Sequence, residues 1–191
     1  MQTNTILDWL SGGDLRSDGA ANQAADAVIK NPELINDLAV GLESEDDVIR
    51  GRTADVLEKI ARTNPELTAS YVNRFLQLLG SDPLPMVRWH LAMVLGHLAE
   101  YSSLTEEIVS ALLRALDDGS VFTKSWVIVS LCIYARKYPQ HLKEITQKIA
   151  RSSNDASAAV RTRVRYAMEV LHNTDAPFPR GWVKSERISL D

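Results

Sequence analysis

Four histidines and one cysteine are the residues best suited to acid–base, metal or nucleophilic chemistry, and their spacing argues against each. His90 and His97 stand seven residues apart, two helical turns, whereas a helical metal pair needs the i, i+4 spacing. Cys132 lies in an apolar run without a neighbouring base, which favours an inert, buried thiol. We therefore predict a non-enzymatic chain with no metal and no cofactor.

A second chemistry, phosphate contact combined with base stacking, needs cationic side chains beside exposed aromatic rings. Both types occur from residue 89 onward, at Trp89, Trp126, Arg161, Arg163, Arg165 and Tyr166. The net charge of −4 gives no general attraction for nucleic acid, because nonspecific binding depends on neutralised phosphates. Binding of a protein or peptide partner is therefore the leading hypothesis, and nucleic-acid binding is the alternative.

Composition indicates the setting in which these residues work. Hydrophobic residues make up 45% and charged residues 24%, the balance of a soluble globular protein. One cysteine excludes an intrachain disulfide framework, and no basic leader followed by an apolar segment opens the sequence. The apolar run at residues 126–129 is far too short to cross a membrane. We expect a cytoplasmic protein that makes no membrane contact.

Internal repetition shows which elements must position these side chains. Four segments align: VIRGRTADVLEKIA from Val48, MVRWHLAMVLGHLA from Met86, FTKSWVIVSLCIYA from Phe122 and AVRTRVRYAMEVLH from Ala159. Placing their basic residues in register gives steps of 38, 36 and 37 residues. These basic residues are Arg50, Arg88, Lys124 and Arg161. An earlier, degenerate copy begins at Leu15.

Each repeat has the pattern of a helix, a short turn and a second helix. Apolar side chains recur at helical spacing, as at Val87, Leu91, Val94 and Leu95. Since one hairpin cannot bury its apolar face alone, neighbouring hairpins must stack into one core. We predict an all-α solenoid domain over residues 1–172 and a tail over 173–191. Its hairpins are expected at about 3–30, 32–62, 65–100, 104–137 and 140–172, the second helix of the first starting at residue 15.

Residues 80–99, GSDPLPMVRWHLAMVLGHLA, resemble the second half of a HEAT repeat, an Asp followed by Val-Arg-x-x-x-Ala-x-x-Leu-Gly. This resemblance to HEAT-like, armadillo-type proteins implies a right-handed solenoid that acts as a scaffold or binds partners, usually on the concave face lined by the second helices. It also implies that Gly96 is a small position where helices pack closely. HEAT-like DNA glycosylases are similar in architecture alone, and Asp55 and Glu169 are the nearest carboxylates in register.

An acid stands six residues before a basic residue in three repeats. The pairs are Asp82 and Arg88, Asp118 and Lys124, and Asp155 and Arg161. The HEAT resemblance implies that such residues form a ladder between stacked hairpins. We therefore interpret the basic column as structural, each cation being neutralised by the acid six residues before it, and not as an anion track.

One face of each second helix points away from the apolar core at 100° per residue. In the second repeat this face carries Gly51, Asp55, Glu58 and Arg62, and from the third repeat onward it becomes aromatic and apolar. Aromatic anchors on this face would supply most of the affinity, and its arginines would orient an acidic partner. The predicted partner-binding residues are Trp89, Met93, Trp126, Val129, Tyr166, Arg52, His90, Arg163 and Arg165.

The second helix of the fourth repeat is apolar nearly all round, the pattern of a helix buried on every side. Something must then cover its outward residues Val129, Cys132 and Ile133. Three coverings are open: the C-terminal tail, a second copy of the chain in a homodimer, or an amphipathic helix of a partner. The tail would act through Phe178, Trp182 and Ile188.

Overall fold

The computed structural model describes residues 5–173 and 175–188, and these contain helices and turns but no strand. The α-helices are α1 (Ile6–Leu10), α2 (Ala21–Lys30), α3 (Leu34–Val40), α4 (Asp47–Thr63), α5 (Pro65–Thr68), α6 (Val72–Ser81), α7 (Pro85–His97), α8 (Thr105–Ala115), α9 (Val121–Lys137), α10 (Leu142–Ala150) and α11 (Ala158–His172). Short 3₁₀ helices lie at Gly41–Glu43, Ala69–Tyr71, Pro139–His141 and Arg151–Asn154. The predicted all-α solenoid of about five hairpins is confirmed.

The helices form two layers with the apolar core between them. The second helices of the hairpins pack side by side in the order α2, α4, α7, α9 and α11, and the first helices lie behind them. Leucine, isoleucine, valine and alanine side chains from both layers make one continuous core, as stacking of repeats requires. The layer of second helices carries the face on which a partner was predicted to bind.

Helix α2 begins at Ala21, so the predicted start at residue 15 is wrong. Three glycines with positive φ angles, Gly12, Gly13 and Gly19, turn the chain repeatedly before the helix can start. These turns bring backbone carbonyls toward Arg52 of α4, whose guanidinium donates hydrogen bonds to five of them. The acceptors are the carbonyls of Leu10 (2.8 Å), Ser11 (3.3 Å), Gly12 (2.7 Å), Asp14 (3.1 Å) and Ser17 (3.3 Å).

Close packing of α7 on α9 depends on a glycine, as predicted. A Cβ atom at Gly96 would lie 2.5 Å from the hydroxyl oxygen of Ser130, so no larger residue fits without movement. Three hydroxyl groups of α9 and the residue after it also donate to carbonyls of the α7 segment. They are Ser130 to Ala92 (2.7 Å), Tyr134 to Leu95 (3.0 Å) and Tyr138 to Ala99 (2.5 Å).

The basic column joins neighbouring repeats, as predicted, but its carboxylate partners differ from those expected. Arg50, Arg88 and Lys124 pair with the acid of the following repeat and not with the position six residues before, whereas Arg161 of the last repeat donates to the backbone carbonyls of Asp155 and Ala156. The pairs are Arg50 with Asp82 (3.1 Å), Arg88 with Asp118 (2.6 Å) and Lys124 with Asp155 (2.6 Å). The position six residues before contributes its backbone carbonyl instead, as Asp82 does to Arg88 at 2.5 Å. The column is therefore structural.

The outer face of α11 carries polar residues where α9 has buried apolar ones. Ile128, Leu131, Cys132 and Ala135 of α9 correspond in register to Arg165, Met168, Glu169 and His172 of α11. The four α9 residues are completely or almost completely buried, whereas Arg165, Glu169 and His172 are exposed. A polar outer face is the usual property of a terminal, capping repeat.

The C-terminal segment, residues 175–188, returns across the concave face toward α4. It begins at α9, where Arg136 donates to the carbonyl of Ala176 and lies 4.2 Å from the ring centroid of Phe178. It ends at α4, where the carbonyl of Arg62 accepts a hydrogen bond from the backbone N–H of Glu186 at 2.9 Å. Between these points Trp182 joins the apolar core. Val129, Cys132 and Ile133 are buried within this one chain, and Phe178, Trp182 and Ile188 of the C-terminal segment pack against the same core, so the structure shows an intrachain covering.

Candidate functional site

A groove with cationic and aromatic walls lies where α9, α11 and the C-terminal segment meet. Its volume is about 630 Å³. Trp126 comes from α9, Arg163 and Tyr166 from α11, and the opposite wall from the C-terminal segment. The complete lining consists of Trp126, Ala158, Ala159, Thr162, Arg163, Tyr166, Arg180, Gly181, Trp182 and Lys184. We call this site the cationic groove.

Among the described residues, three cations and no carboxylate line the cationic groove, although the whole chain is net negative. The guanidinium of Arg163 lies 5.7 Å from the ring centroid of Trp126 and 4.8 Å from that of Trp182. The ammonium of Lys184 lies 4.7 Å from the centroid of Trp126. These stacked positions hold the cations at the groove wall by cation–π attraction.

Partial burial desolvates two of the groove cations, Arg163 and Lys184, whereas Arg180 is exposed. This burial lowers the pKa of Arg163 and the pKa of Lys184 from their usual values. Within residues 5–173 and 175–188, Arg163, Arg180 and Lys184 form no ion pair with an acidic side chain. An anionic group entering the groove would therefore meet unneutralised charge in a partly desolvated site, where electrostatic attraction is stronger than in water.

Trp89 and His90 lie beside the cationic groove, on α7. The indole N–H of Trp89 donates to Nε2 of His90 at 3.2 Å, and Nδ1 of His90 lies 2.9 Å from the carbonyl of Met86. This arrangement fits the neutral ring with its proton on Nδ1, and burial lowers the pKa of His90. The Trp89 ring also contacts Phe122 of α9, with 5.0 Å between ring centroids. His90 thus orients Trp89.

Three predicted partner-binding residues are buried. Met93 of α7 is 4% exposed and Val129 of α9 is 2% exposed. Arg52 is 3% exposed, and its hydrogen bonds go to the loop before α2. In the described fold these three side chains hold the protein together and do not reach the surface.

The second helix of the second repeat, α4, was expected to expose a polar face. That expectation is wrong, because Gly51, Asp55 and Glu58 are buried. Asp55 pairs with Lys59 at 2.6 Å, and Glu58 pairs with Arg62 and with Nε2 of His97 at 3.1 Å. Burial alone would raise the pKa of Glu58, but the hydrogen bonds from His97 and Arg62 lower it from 4.5 to about 2. The acids of α4 are therefore internal ion-pair partners.

Arg165 points away from the cationic groove, although the sequence grouped it with Arg163. Its guanidinium lies 5.0 Å from the ring centroid of Tyr166, and its side chain lines the outer face of α11 together with Met168 and Glu169. The structure therefore brings together Trp126, Arg163 and Tyr166, places Trp89 and His90 beside them, and leaves Arg165 on the end of the solenoid.

Four residues at the site were missed by the sequence interpretation: Phe122, Arg180, Trp182 as a groove residue, and Lys184. The signal for three of them was the run PRGWVK at 179–184, in which cations flank a tryptophan. Gly181 has a φ angle of 79°, which turns the chain between Arg180 and Trp182 so that both reach the groove. The run has no helical period, so no position on the solenoid followed from it.

The remaining chemistry-bearing residues offer little reactivity. Cys132 is completely buried, and burial raises the pKa of its thiol to about 12, as the predicted inert thiol requires. Among the described residues, no group of three or more histidine, cysteine, aspartate and glutamate side chains is arranged to hold a metal ion. None of the helices in that part of the chain is both long and apolar enough to cross a membrane.

No protein-family model matches the chain, and no curated protein does either. Several solved structures are similar to it. One is a chain of the complex of CpcE and CpcF of phycocyanin lyase from Nostoc sp. PCC7120, with a TM-score of 0.68 and 19% identity over 85% of this chain and 95% of that one. Another is a designed armadillo repeat protein in complex with the peptide (KR)4, with a TM-score of 0.62 and 16% identity over 90% of this chain and 82% of that one.

An engineered protein is also similar, with a TM-score of 0.62 and 16% identity over 87% of this chain and 78% of that one. These likenesses cover nearly the whole run of helices at identities below 20%. At such identities a likeness carries the architecture and not the activity. The chain therefore has the HEAT/armadillo-type α-solenoid fold that its repeats predicted.

Proposed function

We propose that this protein is a non-enzymatic binding module that holds an acidic segment of a partner protein in the cationic groove. The observation that supports this most directly is the groove lining, where the described residues include Arg163, Arg180 and Lys184 beside Trp126, Tyr166 and Trp182 but no acid. Tryptophan, tyrosine and arginine are the residues that dominate binding energy in protein interfaces. The cytoplasm is the setting we propose for this interaction.

A protein partner suits the cationic groove better than nucleic acid does. Tight binding of a nucleic acid needs a track of cations along several phosphates. Lys59 and Arg62 of α4 are both paired with acids of their own helix, Asp55 and Glu58. These two α4 cations therefore do not extend the charge of the cationic groove into a longer track, and three cations around one groove fit a short acidic segment.

Two structural neighbours give the proposal independent support. CpcE and CpcF form a complex with one another, and the designed armadillo repeat protein holds the peptide (KR)4. Solenoids of this shape thus associate with protein chains and with peptides of defined charge. The peptide in the designed protein is basic, whereas the groove of this chain is itself basic and would select the opposite charge.

Fluorescence anisotropy with labelled synthetic peptides tests the proposal. The probes are a decapeptide of alternating glutamate and glycine, its lysine–glycine counterpart, and a short DNA duplex and single strand. We expect the glutamate peptide to bind and to weaken as salt is raised, because screening reduces the attraction. The lysine peptide and both DNA probes should show no saturable binding.

Two arginine variants on the same helix make the test specific. Arg163→Gln removes a groove cation and should weaken glutamate-peptide binding at least fivefold. Arg161→Gln removes an exposed cation on the outer face of α11 and should leave the affinity unchanged. Equal affinity in all three proteins would contradict the proposal, and saturable DNA binding lost in Arg163→Gln would replace it with the nucleic-acid alternative.

A further inference from the structure

An exposed apolar surface continues from the cationic groove along the first turn of α9. Phe122 is 62% exposed and Val121 is 38% exposed, and the Trp89 ring packs against Phe122. Large apolar side chains exposed to this degree and grouped together mark interaction surfaces more often than isolated ones do. We call Trp89, Val121 and Phe122 the aromatic shelf.

The repeat register shows that the aromatic shelf and the cationic groove are parts of one surface. Val121 and Phe122 of α9 correspond to Ala158 and Ala159 of α11, one repeat of 37 residues later. Those two alanines line the cationic groove. These two repeat positions therefore line the cationic groove in the fifth repeat and carry exposed apolar side chains in the fourth repeat.

The distance between the aromatic shelf and the cationic groove determines how far apart the two contacting side chains of a ligand must be. Phe122 and Trp126 stand one turn apart on the same side of α9, a rise of about 6 Å. A fully extended peptide advances about 3.3 Å per residue, and a helical one about 1.5 Å. Two side chains separated by two residues in an extended segment, or by four in a helix, would therefore reach the aromatic shelf and the cationic groove together.

We propose that the partner segment is recognised at two points: an acidic side chain enters the cationic groove, and a large apolar side chain two to four residues away packs on the aromatic shelf. This inference rests on the proposed function, since it assigns the groove to an acidic segment. The groove alone would bind any polyanion, whereas the aromatic shelf adds selection for a particular arrangement of residues. Electrostatic attraction speeds the encounter with an acidic segment, and the apolar contact distinguishes one acidic partner from another.

Four labelled decapeptides in a serine–glycine background test the two-point recognition. The first carries two adjacent glutamates and a leucine two residues away. The second has serine in place of leucine, the third has glutamines in place of the glutamates, and the fourth places the leucine seven residues away. We expect the first peptide to bind about tenfold more tightly than the second and the fourth, and the third to show no saturable binding.

Surface variants identify where the leucine binds. Phe122→Ser should abolish the difference between the first and second peptides while both still bind through their glutamates. Val40→Ser is the matched control, because Val40 is 60% exposed on α3 and far along the chain from the groove. That variant should behave as the wild type. Circular dichroism spectra of both variants should overlay the wild-type spectrum, since each removes an exposed side chain.

The outcomes separate this inference from the function on which it rests. If the first and second peptides bind the wild type equally, or if Phe122→Ser keeps the tenfold preference, two-point recognition is wrong while the cationic groove retains its acidic ligand. If neither glutamate peptide binds the wild type, both the inference and the proposed function fail.

Discussion

Charged residues on the concave side fall into two groups according to whether the fold itself neutralises them. Glu58 is completely buried and takes hydrogen bonds from His97 and Arg62. Arg163 and Lys184 face the cationic groove on aromatic rings instead. A buried charge that is paired stabilises one structure, whereas a partly exposed and unpaired charge is available to a ligand. The two groups therefore have different measurable properties.

Replacement of Glu58 by glutamine should destabilise the protein in a way that depends on pH. The pKa of Glu58 is lowered in the folded state from 4.5 to about 2, so ionisation stabilises the fold above pH 4.5, and this contribution is lost as the pH falls toward 2. The full contribution is about 3 kcal/mol. Urea unfolding should give a large difference between wild type and Glu58→Gln at pH 6 and a much smaller one at pH 3.

The exposed residue Glu107 provides the control for this experiment. Glu107 lies in the first turn of α8 and forms no ion pair within the described part of the chain. Glu107→Gln should change the free energy of unfolding by less than about 0.5 kcal/mol at both pH values. A difference between wild type and Glu58→Gln that stays the same from pH 6 to pH 3 would contradict the assigned hydrogen bonds.

At the scale of helices, α7 and α9 pack closely at Gly96. Gly96→Ala places a Cβ atom 2.5 Å from the Ser130 hydroxyl oxygen, inside the distance of any normal contact. The crowding should lower the free energy of unfolding by about 1–3 kcal/mol, despite the higher helix propensity of alanine. Thermal or urea denaturation measures this change.

Gly80 is the matched glycine for the α7–α9 experiment. It lies in α6, and a Cβ atom there would meet nothing within 4 Å. Gly80→Ala should therefore raise the free energy of unfolding by up to about 1 kcal/mol, because only helix propensity changes. If Gly96→Ala stabilised the protein as Gly80→Ala does, the close approach of α7 and α9 would be wrong.

The helices and their stacking could be predicted from the sequence because the helical spacing of apolar residues recurs in each repeat. Apolar spacing located α4, α7, α9 and α11 to within a few residues. Spacing along the chain could not tell which neighbour pairs with Arg88, since Asp82 stands closer in sequence but Asp118 faces it across the repeat boundary. The start of α2 was missed because the turns at Gly12, Gly13 and Gly19, which delay the helix, are held in place by hydrogen bonds from the distant Arg52.

At the scale of the whole molecule, the path of the C-terminal segment shapes the cationic groove. It runs from Arg136 of α9 to the end of α4, and Trp182 joins the apolar core between these points. It leaves the first turns of the later second helices open and adds Arg180 and Lys184 to the groove. The sequence indicated that an apolar surface of α9 must be covered. It could not predict the path of the C-terminal segment, because that segment has no helical or strand periodicity.

The four tryptophans allow the central claim, that the cationic groove holds an acidic segment, to be tested directly. A protein labelled with ¹⁵N gives one indole N–H signal for each tryptophan, and single Trp→Phe variants assign them. During titration with the alternating glutamate–glycine decapeptide, the signals of Trp126 and Trp182 should shift in a saturable manner, while that of Trp9, in α1, should stay in place. Saturable binding of this peptide with no shift at Trp126 or Trp182 would contradict the account.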